Sequence, residues 1–309
     1  MYSEFPASPC EYSKKAFLII NPVSGKKQVL RHIPEIIRVF MDAGYLVTTA
    51  VTARRGEATE LTRRYAADYD LVCCTGGDGT LNETLSGLAL EGLRVPLGYI
   101  PCGSTNDFAV SRHLSTDIPT AARLIASGAS ARYDIGRFGE HFFSYVAAFG
   151  AFSWLSYTTD QNLKNVLGHT AYILDGIKDL PKIKPYHVRL TADGRLYEGD
   201  YIFGAVCNST SIAGTLELPA DVVDTLDGKF EVLLIQSPKT LLDLDLMVRG
   251  LLTQDYSHPL IDFFQAEDIY VENPVGLEWA LDGEGPGVYD TVHISPIPGF
   301  LTLQGSGES

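Results

Sequence analysis

An apolar run, Leu71 to Cys74, ends in Gly76-Gly77-Asp78-Gly79-Thr80, after which Leu81, Leu85 and Leu88 recur at i, i+4 and i+7. A strand that stops at glycines and hands over to a one-sided helix is the strongest local signal in the chain. Glycine tolerates positive φ and lets a ligand approach the backbone. The helix start that follows offers free N–H groups and the positive end of the helix dipole, which suits phosphate. Thr80 and Glu83 have the spacing of a capping box, hydroxyl to N3 amide and carboxylate back. Asp78 is out of place in a pure anion site. It makes sense if a metal ion or a ribose hydroxyl is held in the same turn. Taken alone, the stretch is also compatible with an ordinary tight turn.

The same punctuation recurs. Ala16 to Ile20 reads as a buried strand broken by Asn21-Pro22-Val23-Ser24-Gly25. A helix follows with Ile33, Ile36, Ile37, Phe40 and Met41 on one face and Gly44 as its stop. Tyr45–Thr52 is a second strand and Gly56–Ala67 a second helix. Val95–Ile100 is a further strand ending at Pro101-Cys102-Gly103-Ser104-Thr105-Asn106-Asp107, and short helices follow toward Arg112 and from Pro119 to Ser127. Strands alternating with helices imply a parallel sheet. In such a sheet the loops Asn21–Gly25, Gly76–Thr80 and Gly103–Asp107 share the carboxyl edge, where open α/β sheets bind ligands. Three small polar loops at one edge point to nucleotide or phosphate. No GxxxxGK[ST] string occurs and no GxGxxG follows the first strand, so a Walker-type P-loop and a dinucleotide site are both disfavoured.

After Ser127-Gly128-Ala129-Ser130 the pattern changes. Arg132–Phe138 and His141–Ala148 fit a hairpin around Gly139-Glu140. Further strands are expected at Tyr186–Thr191, Arg195–Val206, Lys229–Ile235, Asp268–Glu272, Leu277–Leu281 and Val288–Ile294. One helix is expected over Leu167–Leu180, and another from Ser237 to Leu252 with Ser237 as cap and Pro238 at N1. This is the signature of an antiparallel sandwich or barrel-like second domain. The expected division is 1–130 and 131–297, with the tail 298–309, containing Phe300–Gln304, able to complete the first domain. Asp193-Gly194, Asp227-Gly228 and Asp282-Gly283 are turn dipeptides, and Asp-Gly is a normal hairpin turn. Asp282-Gly283-Glu284 adds a second carboxylate. Phe142, Phe143, Phe149, Phe152, Trp154, Leu155 and Tyr157 fit either a lipid cleft or a core.

A formal net charge of −14 and a pI near 4.9 argue against a nucleic-acid partner and against broad adsorption to an anionic membrane. Lys14-Lys15, Lys26-Lys27, Arg54-Arg55, Arg63-Arg64 and Lys178, Lys182 and Lys184 read mostly as solvated faces. The N-terminus lacks a signal-peptide layout, and no apolar run approaches the roughly 18 residues of a spanning helix. The expectation is a cytoplasmic protein, soluble or peripheral on the inner membrane face. Cys10, Cys73, Cys74, Cys102 and Cys207 contain no CxxC pair and read as reduced thiols.

Taken in order, these motifs resemble the diacylglycerol kinase catalytic family, which includes bacterial diacylglycerol kinases and the related sphingosine and ceramide kinases. Gly76-Gly77-Asp78-Gly79-Thr80-Leu81-Asn82-Glu83 is similar to its GGDGT-x-NE motif. Asn21-Pro22-x-Ser24-Gly25 and Thr52-Ala53-Arg54-Arg55-Gly56 resemble its first two nucleotide loops. Pro101-x-Gly103-Ser104-x-Asn106-Asp107-Phe108-Ala109 resembles its P-x-G-[ST]-x-NDFA motif, and Asp282-Gly283-Glu284 its late DGE motif. Gly168-x-x-Ala171-Tyr172 and Asp227-Gly228 also fall where the family has them. The resemblance implies an α/β plus all-β fold: a phosphofructokinase- and NAD-kinase-like α/β domain, a C-terminal antiparallel β-sandwich, and ATP in the cleft between them. It implies transfer of the γ-phosphoryl of Mg-ATP to a lipid hydroxyl, with transient contact at a membrane surface; a homodimer is left open. ATP contacts are implied for Asn21, Ser24, Gly25, Thr52, Gly76, Gly77, Gly79, Thr80, Asn82, Ser104 and Asn106. Asp78 and Glu284 are implied at a catalytic Mg²⁺, Asp107 in the same polar network, and Asp282 as general base. A structural Mg²⁺ is implied at the Asp227 side chain and the Asp224 and Lys229 carbonyls. A soluble NAD-kinase-like enzyme and a non-catalytic nucleotide- or lipid-binding regulator are the alternatives.

Overall fold

The computed structural model describes residues 12–27, 29–150, 184–212, 216–218 and 223–306. Two compact units divide the chain: Met1–Ala131 with Leu301–Ser309, and Arg132–Phe300. The expected helix over Leu167–Leu180, the Gly168–Tyr172 motif, Phe152, Trp154, Leu155, Tyr157, Lys178, Lys182 and Cys10 lie outside the described residues.

In the first unit, β1 (Lys14–Ile20), β2 (Tyr45–Val51), β3 (Leu71–Gly76) and β4 (Leu97–Pro101) form a parallel sheet in the order β2-β1-β3-β4. Ala16, Leu18 and Ile20 pack with Val29, Ile36 and Phe40 of α1 (Val29–Asp42) and with Ala121, Ala122 and Ile125 of the 118–126 helix. On the opposite face Phe17 meets the rings of Tyr65 and Tyr69. Burial on both faces is what a parallel sheet demands, and it explains the unbroken apolar run. The other helices are α2 (Glu57–Tyr65), α3 (Asp78–Leu90), α4 (Asp107–Ser111) and α5 (Ile118–Ala126). Leu303 and Gln304 pair with β4, and the Gln304 amide donates to the Ile125 carbonyl at 2.7 Å, so the tail completes this sheet.

The second unit is antiparallel. Its strands are β5 (Ser130–Phe138), β6 (His141–Phe143), β7 (Val146–Gly150), β8 (Tyr186–Ala192), β9 (Arg195–Cys207), β10 (Ser211–Ile212), β11 (Leu216–Glu217), β12 (Phe230–Gln236), β13 (Ile261–Ala266), β14 (Ile269–Leu281) and β15 (Glu284–Gln304). β5 and β15 run across the unit boundary. Both β9 and β14 pair with β8 at one end and β7 at the other, which closes a barrel-like ring. Trp279 fills it, with the Phe138 and Phe149 rings each 5.0 Å away. Phe142, Phe143 and Phe149 are buried, so these three are core residues.

Several elements differ from expectation. The segments Asp268–Glu272 and Leu277–Leu281 are one strand, β14, carrying a register shift between Glu272 and Leu277. The last strand is continuous from Glu284 to Gln304. Helix α6 (Leu241–Thr253) starts later than Ser237, because Thr240 and Asp243 form the reciprocal capping box. The hairpin arm His141–Ala148 is interrupted at Ser144-Tyr145, for a reason given below.

Among the described residues no helix is long and apolar enough to cross a membrane. Leu18 is fully buried in the first unit's core. Leu18→Ala is expected to cost about 2–5 kcal/mol, read as a lower urea midpoint with an unchanged m-value.

Candidate functional site

Three loops of the first unit meet at the carboxyl ends of β1, β3 and β4. Their contacts are backbone to backbone. A Cβ on Gly25, which has φ +53°, would meet the Cys102 carbonyl oxygen, and a Cβ on Gly103 would lie 2.6 Å from Gly77 Cα. Any side chain at these positions pushes the loops apart. Polar links finish the assembly. The Asn21 amide donates to Thr80 Oγ1 at 2.9 Å, and Asn21 Oδ1 accepts from the Val23 amide. Asn106, left-handed at φ 52°, is buried; its side chain accepts from the Gly103 amide at 2.7 Å and donates to the Gly103 carbonyl. Thr52 is buried at the end of β2, with its hydroxyl directed to the Ile20 carbonyl. Gly76 is buried, Ser24, Gly25, Gly77, Gly79 and Asn82 are partly exposed, and Ser104 is open to solvent.

Asp78 is the hub. Its carboxylate accepts from the Asp107 amide at 3.0 Å and the Phe108 amide at 3.2 Å, so the glycine loop caps α4 from another element. Thr105 adds a longer hydroxyl contact. Burial pushes the Asp78 carboxyl above its ordinary value against the pull of those amides. Asp107 is pushed up by burial and then by the neighbouring Asp78 charge. Two partly desolvated carboxylates beside a glycine loop and the start of α3 form a surface that favours a hard divalent cation together with phosphate.

Glu83 corrects the capping-box expectation. Helix α3 starts at Asp78 with Gly77 as its cap, which puts Thr80 at N3 instead of the cap. Glu83 instead accepts from the Gly56 and Ala58 amides at the start of α2, at 2.7 and 3.2 Å. It therefore anchors the end of the Thr52–Gly56 loop.

In the second unit, Asp282 and Gly283 have φ of 51° and 83° and join β14 to β15 as a two-residue hairpin, with Leu281 opposite Glu284. Both central φ values are positive, as in a type I′ turn. Asp282 is also buried, and its carboxylate accepts from the Ser144 amide (2.6 Å), the Ser144 hydroxyl (2.9 Å), the Tyr145 amide (3.0 Å) and the Val146 amide (3.1 Å). These amides point at a side chain instead of a neighbouring strand, which is why β6 and β7 are separate.

Asp134, which no motif marks, is fully buried and accepts from the Gly228 amide (2.8 Å) and the Gly299 amide (2.6 Å). Asn208 donates to its carbonyl at 2.6 Å. The signal available in the sequence was a charged residue inside the strand Tyr133-Asp134-Ile135. Asp224 and Asp227 are exposed and accept from the Leu226 and Lys229 amides, closing local turns. Glu231 is buried, and its Oε2 has no partner among the described residues. Burial raises its carboxyl to about 7, with Asp227 and Asp224 adding to the shift. Among the described residues no three His, Cys, Asp or Glu side chains converge to hold a metal by themselves. Cys73, Cys74, Cys102 and Cys207 are buried free thiols, with Cys102 raised by burial to about 11.

Two family models match the chain: a diacylglycerol kinase catalytic domain over residues 15–138, and a YegS C-terminal NAD kinase beta sandwich-like domain over residues 153–304. A diacylglycerol kinase of Staphylococcus saprophyticus is 33% identical over 294 residues, 94% of this chain and 93% of its own. One from Staphylococcus aureus strain RF122 is 33% identical over 276 residues, 89% of this chain and 87% of its own. A crystal structure of a diacylglycerol kinase from Bacillus anthracis str. Sterne superposes with a TM-score of 0.74, at 23% identity, over 94% of this chain and 96% of that one, which speaks for the fold. Fold and site together define a kinase built from an α/β unit and an antiparallel β unit. The chain belongs to the diacylglycerol kinase catalytic family, a family of lipid kinases.

The Asp107 pKa gives a sign. A carboxyl whose folded-state pKa lies above its unfolded value destabilises the fold once pH passes the unfolded value. The stability present at low pH falls as pH rises through the folded pKa. Asp107→Asn removes the charge and is expected to raise the melting temperature at neutral pH in chelator. The gain is expected to shrink as pH falls below about 4. An unchanged melting temperature at neutral pH would show that the pair carries no such penalty.

Proposed function

We propose that the chain transfers the γ-phosphoryl of Mg-ATP to the hydroxyl of diacylglycerol or a related lipid. The observation that carries this is the convergence of the three first-unit loops on the Asp78–Asp107 pair. Phosphoryl transfer needs positioning and charge neutralisation more than covalent chemistry. Loop amides and side chains from Asn21, Ser24, Gly25, Thr52, Gly76, Gly77, Gly79, Thr80, Asn82, Ser104 and Asn106 hold the nucleotide. Glu83 keeps the Thr52–Gly56 loop in place from behind.

Mg²⁺ fits the donor set, because Asp78 and Asp107 are hard oxygen ligands, neighbouring and partly desolvated. When bound, the ion neutralises charge on the transferring phosphoryl. Asp78 is the side chain assigned to it, with Asp107 in the same polar network. A structural Mg²⁺ is assigned to the Asp227 side chain and the carbonyls of Asp224 and Lys229. Its support is the surplus negative charge of Asp224, Asp227 and buried Glu231.

For the acceptor, the four hydrogen bonds to Asp282 change the division of labour. A carboxylate whose lone pairs are committed to four donors is a poor proton acceptor. Asp282 therefore sets the turn, and Glu284, two residues on, takes the proton from the lipid hydroxyl. The protein works at the cytoplasmic membrane face by transient contact.

The test is radiolabelled ATP transfer against a panel of lipid acceptors, with NAD and sugar phosphates as controls. Transfer confined to a non-lipid overturns the reading. Glu284→Gln is expected to lower turnover by about 10²–10⁴-fold with the KM for ATP unchanged. Near-normal turnover in that variant places the base elsewhere.

A further inference from the structure

We propose that Ser144, outside every motif, is a positioning residue for acceptor deprotonation: it grips Asp282 and so aims the turn that presents Glu284. This rests on the reading given under Proposed function.

Ser144 is buried at 2% exposure, against Asp282 at 3%. Of the four donors to the Asp282 carboxylate seen among the described residues it supplies two, both on Oδ2, and its hydroxyl is the side-chain donor of the four. Hydrogen bonds to an ionised acceptor are about twice as strong as neutral ones. Asp282 needs such a grip. It is a non-glycine residue in the left-handed region, a conformation its surroundings have to hold. The backbone closes the clamp, since the Asp282 amide donates to the Val146 carbonyl at 2.9 Å. The gripping segment is itself held, because the Asn208 amide donates to the Tyr145 carbonyl at 2.9 Å.

The strand break at Ser144-Tyr145 fits the same purpose. A structural serine in a hairpin arm would leave its amide in the ladder. Here three successive amides leave the ladder for one carboxylate. Only Gly283 separates that carboxylate from Glu284, so a loosened Asp282 tilts the proton acceptor. Displacements of about 1 Å at a reacting group can lower turnover about 10²-fold.

Ser144→Ala removes one donor and leaves the three amides, so the fold is expected to survive. Turnover is expected to fall about 10- to 100-fold with the KM for ATP unchanged, and Ser144→Thr, which keeps the hydroxyl, is expected to recover most of it. In a Glu284→Gln background, Ser144→Ala is expected to lower turnover no further, because it acts through Glu284. Additive losses, or full activity in Ser144→Ala, overturn the proposal. A substrate-independent measurement keeps the clamp decidable if no lipid is phosphorylated at all, an outcome that sinks the lipid-kinase reading itself. In hydrogen exchange, the peptide containing Gly283 and Glu284 is expected to exchange faster in Ser144→Ala than in the parent, and equal rates overturn the clamp. Should Ser144→Ala not fold, Asp282→Asn is put through the same exchange comparison with the same two outcomes.

Discussion

A carboxylate that accepts several backbone amides from a distant segment recurs wherever this chain needs a loop held still. Asp78 ties the glycine loop to the start of α4. Glu83 ties α3 to the start of α2. Asp134 ties β5 to two glycine turns, at Gly228 and Gly299. Asp282 ties the β14–β15 turn to the broken hairpin arm. Loops and helix starts carry amides with no ladder partner, and leaving them buried and unpaired costs free energy. An ionised oxygen is the strongest neutral-pH acceptor available for them. Part of the acidic surplus of this chain thus lies on carboxylates that hold loops from within the fold.

These hubs work because glycine lets backbones come close. Gly103 against Gly77, and Gly25 against the Cys102 carbonyl, bring three loops within reach of one another. The glycine loop and two neighbouring aspartates then share a small volume. Burial raises both aspartates above their ordinary values, with the Asp78 charge adding to the shift of Asp107. The closeness of the loops follows from one geometric fact: nothing larger than hydrogen fits between them.

Much of the first unit was legible from the chain. The apolar runs over Ala16–Ile20 and Leu71–Cys74 are buried on both faces, and such runs declare a parallel strand without help from context. The second unit was harder. The β14 segments on either side of Asn273–Gly276 read as two strands, since a bulge and a turn look alike locally. The α6 start moved from Ser237 to Thr240 because the reciprocal bond with Asp243 outweighs a lone Ser-Pro signal. Thr80 and Glu83 kept the capping-box spacing but not its geometry, as Glu83 found two amides on a neighbouring helix.

The sequence by itself determined the order of elements, the placing of three polar loops at one sheet edge, and the residue types able to handle phosphate and metal. Those are local properties: periodicity, glycine punctuation and side-chain chemistry travel with the string of residues. Only the tertiary structure decided what each carboxylate does. Asp282 reads in the sequence as a base or as an ordinary turn residue, and the fold brings four donors to its carboxylate. Asp134 and Ser144 carried no motif at all. Their roles depend on partners 94 and 138 residues away along the chain, and hydrogen bonds over such separations leave no local pattern to read.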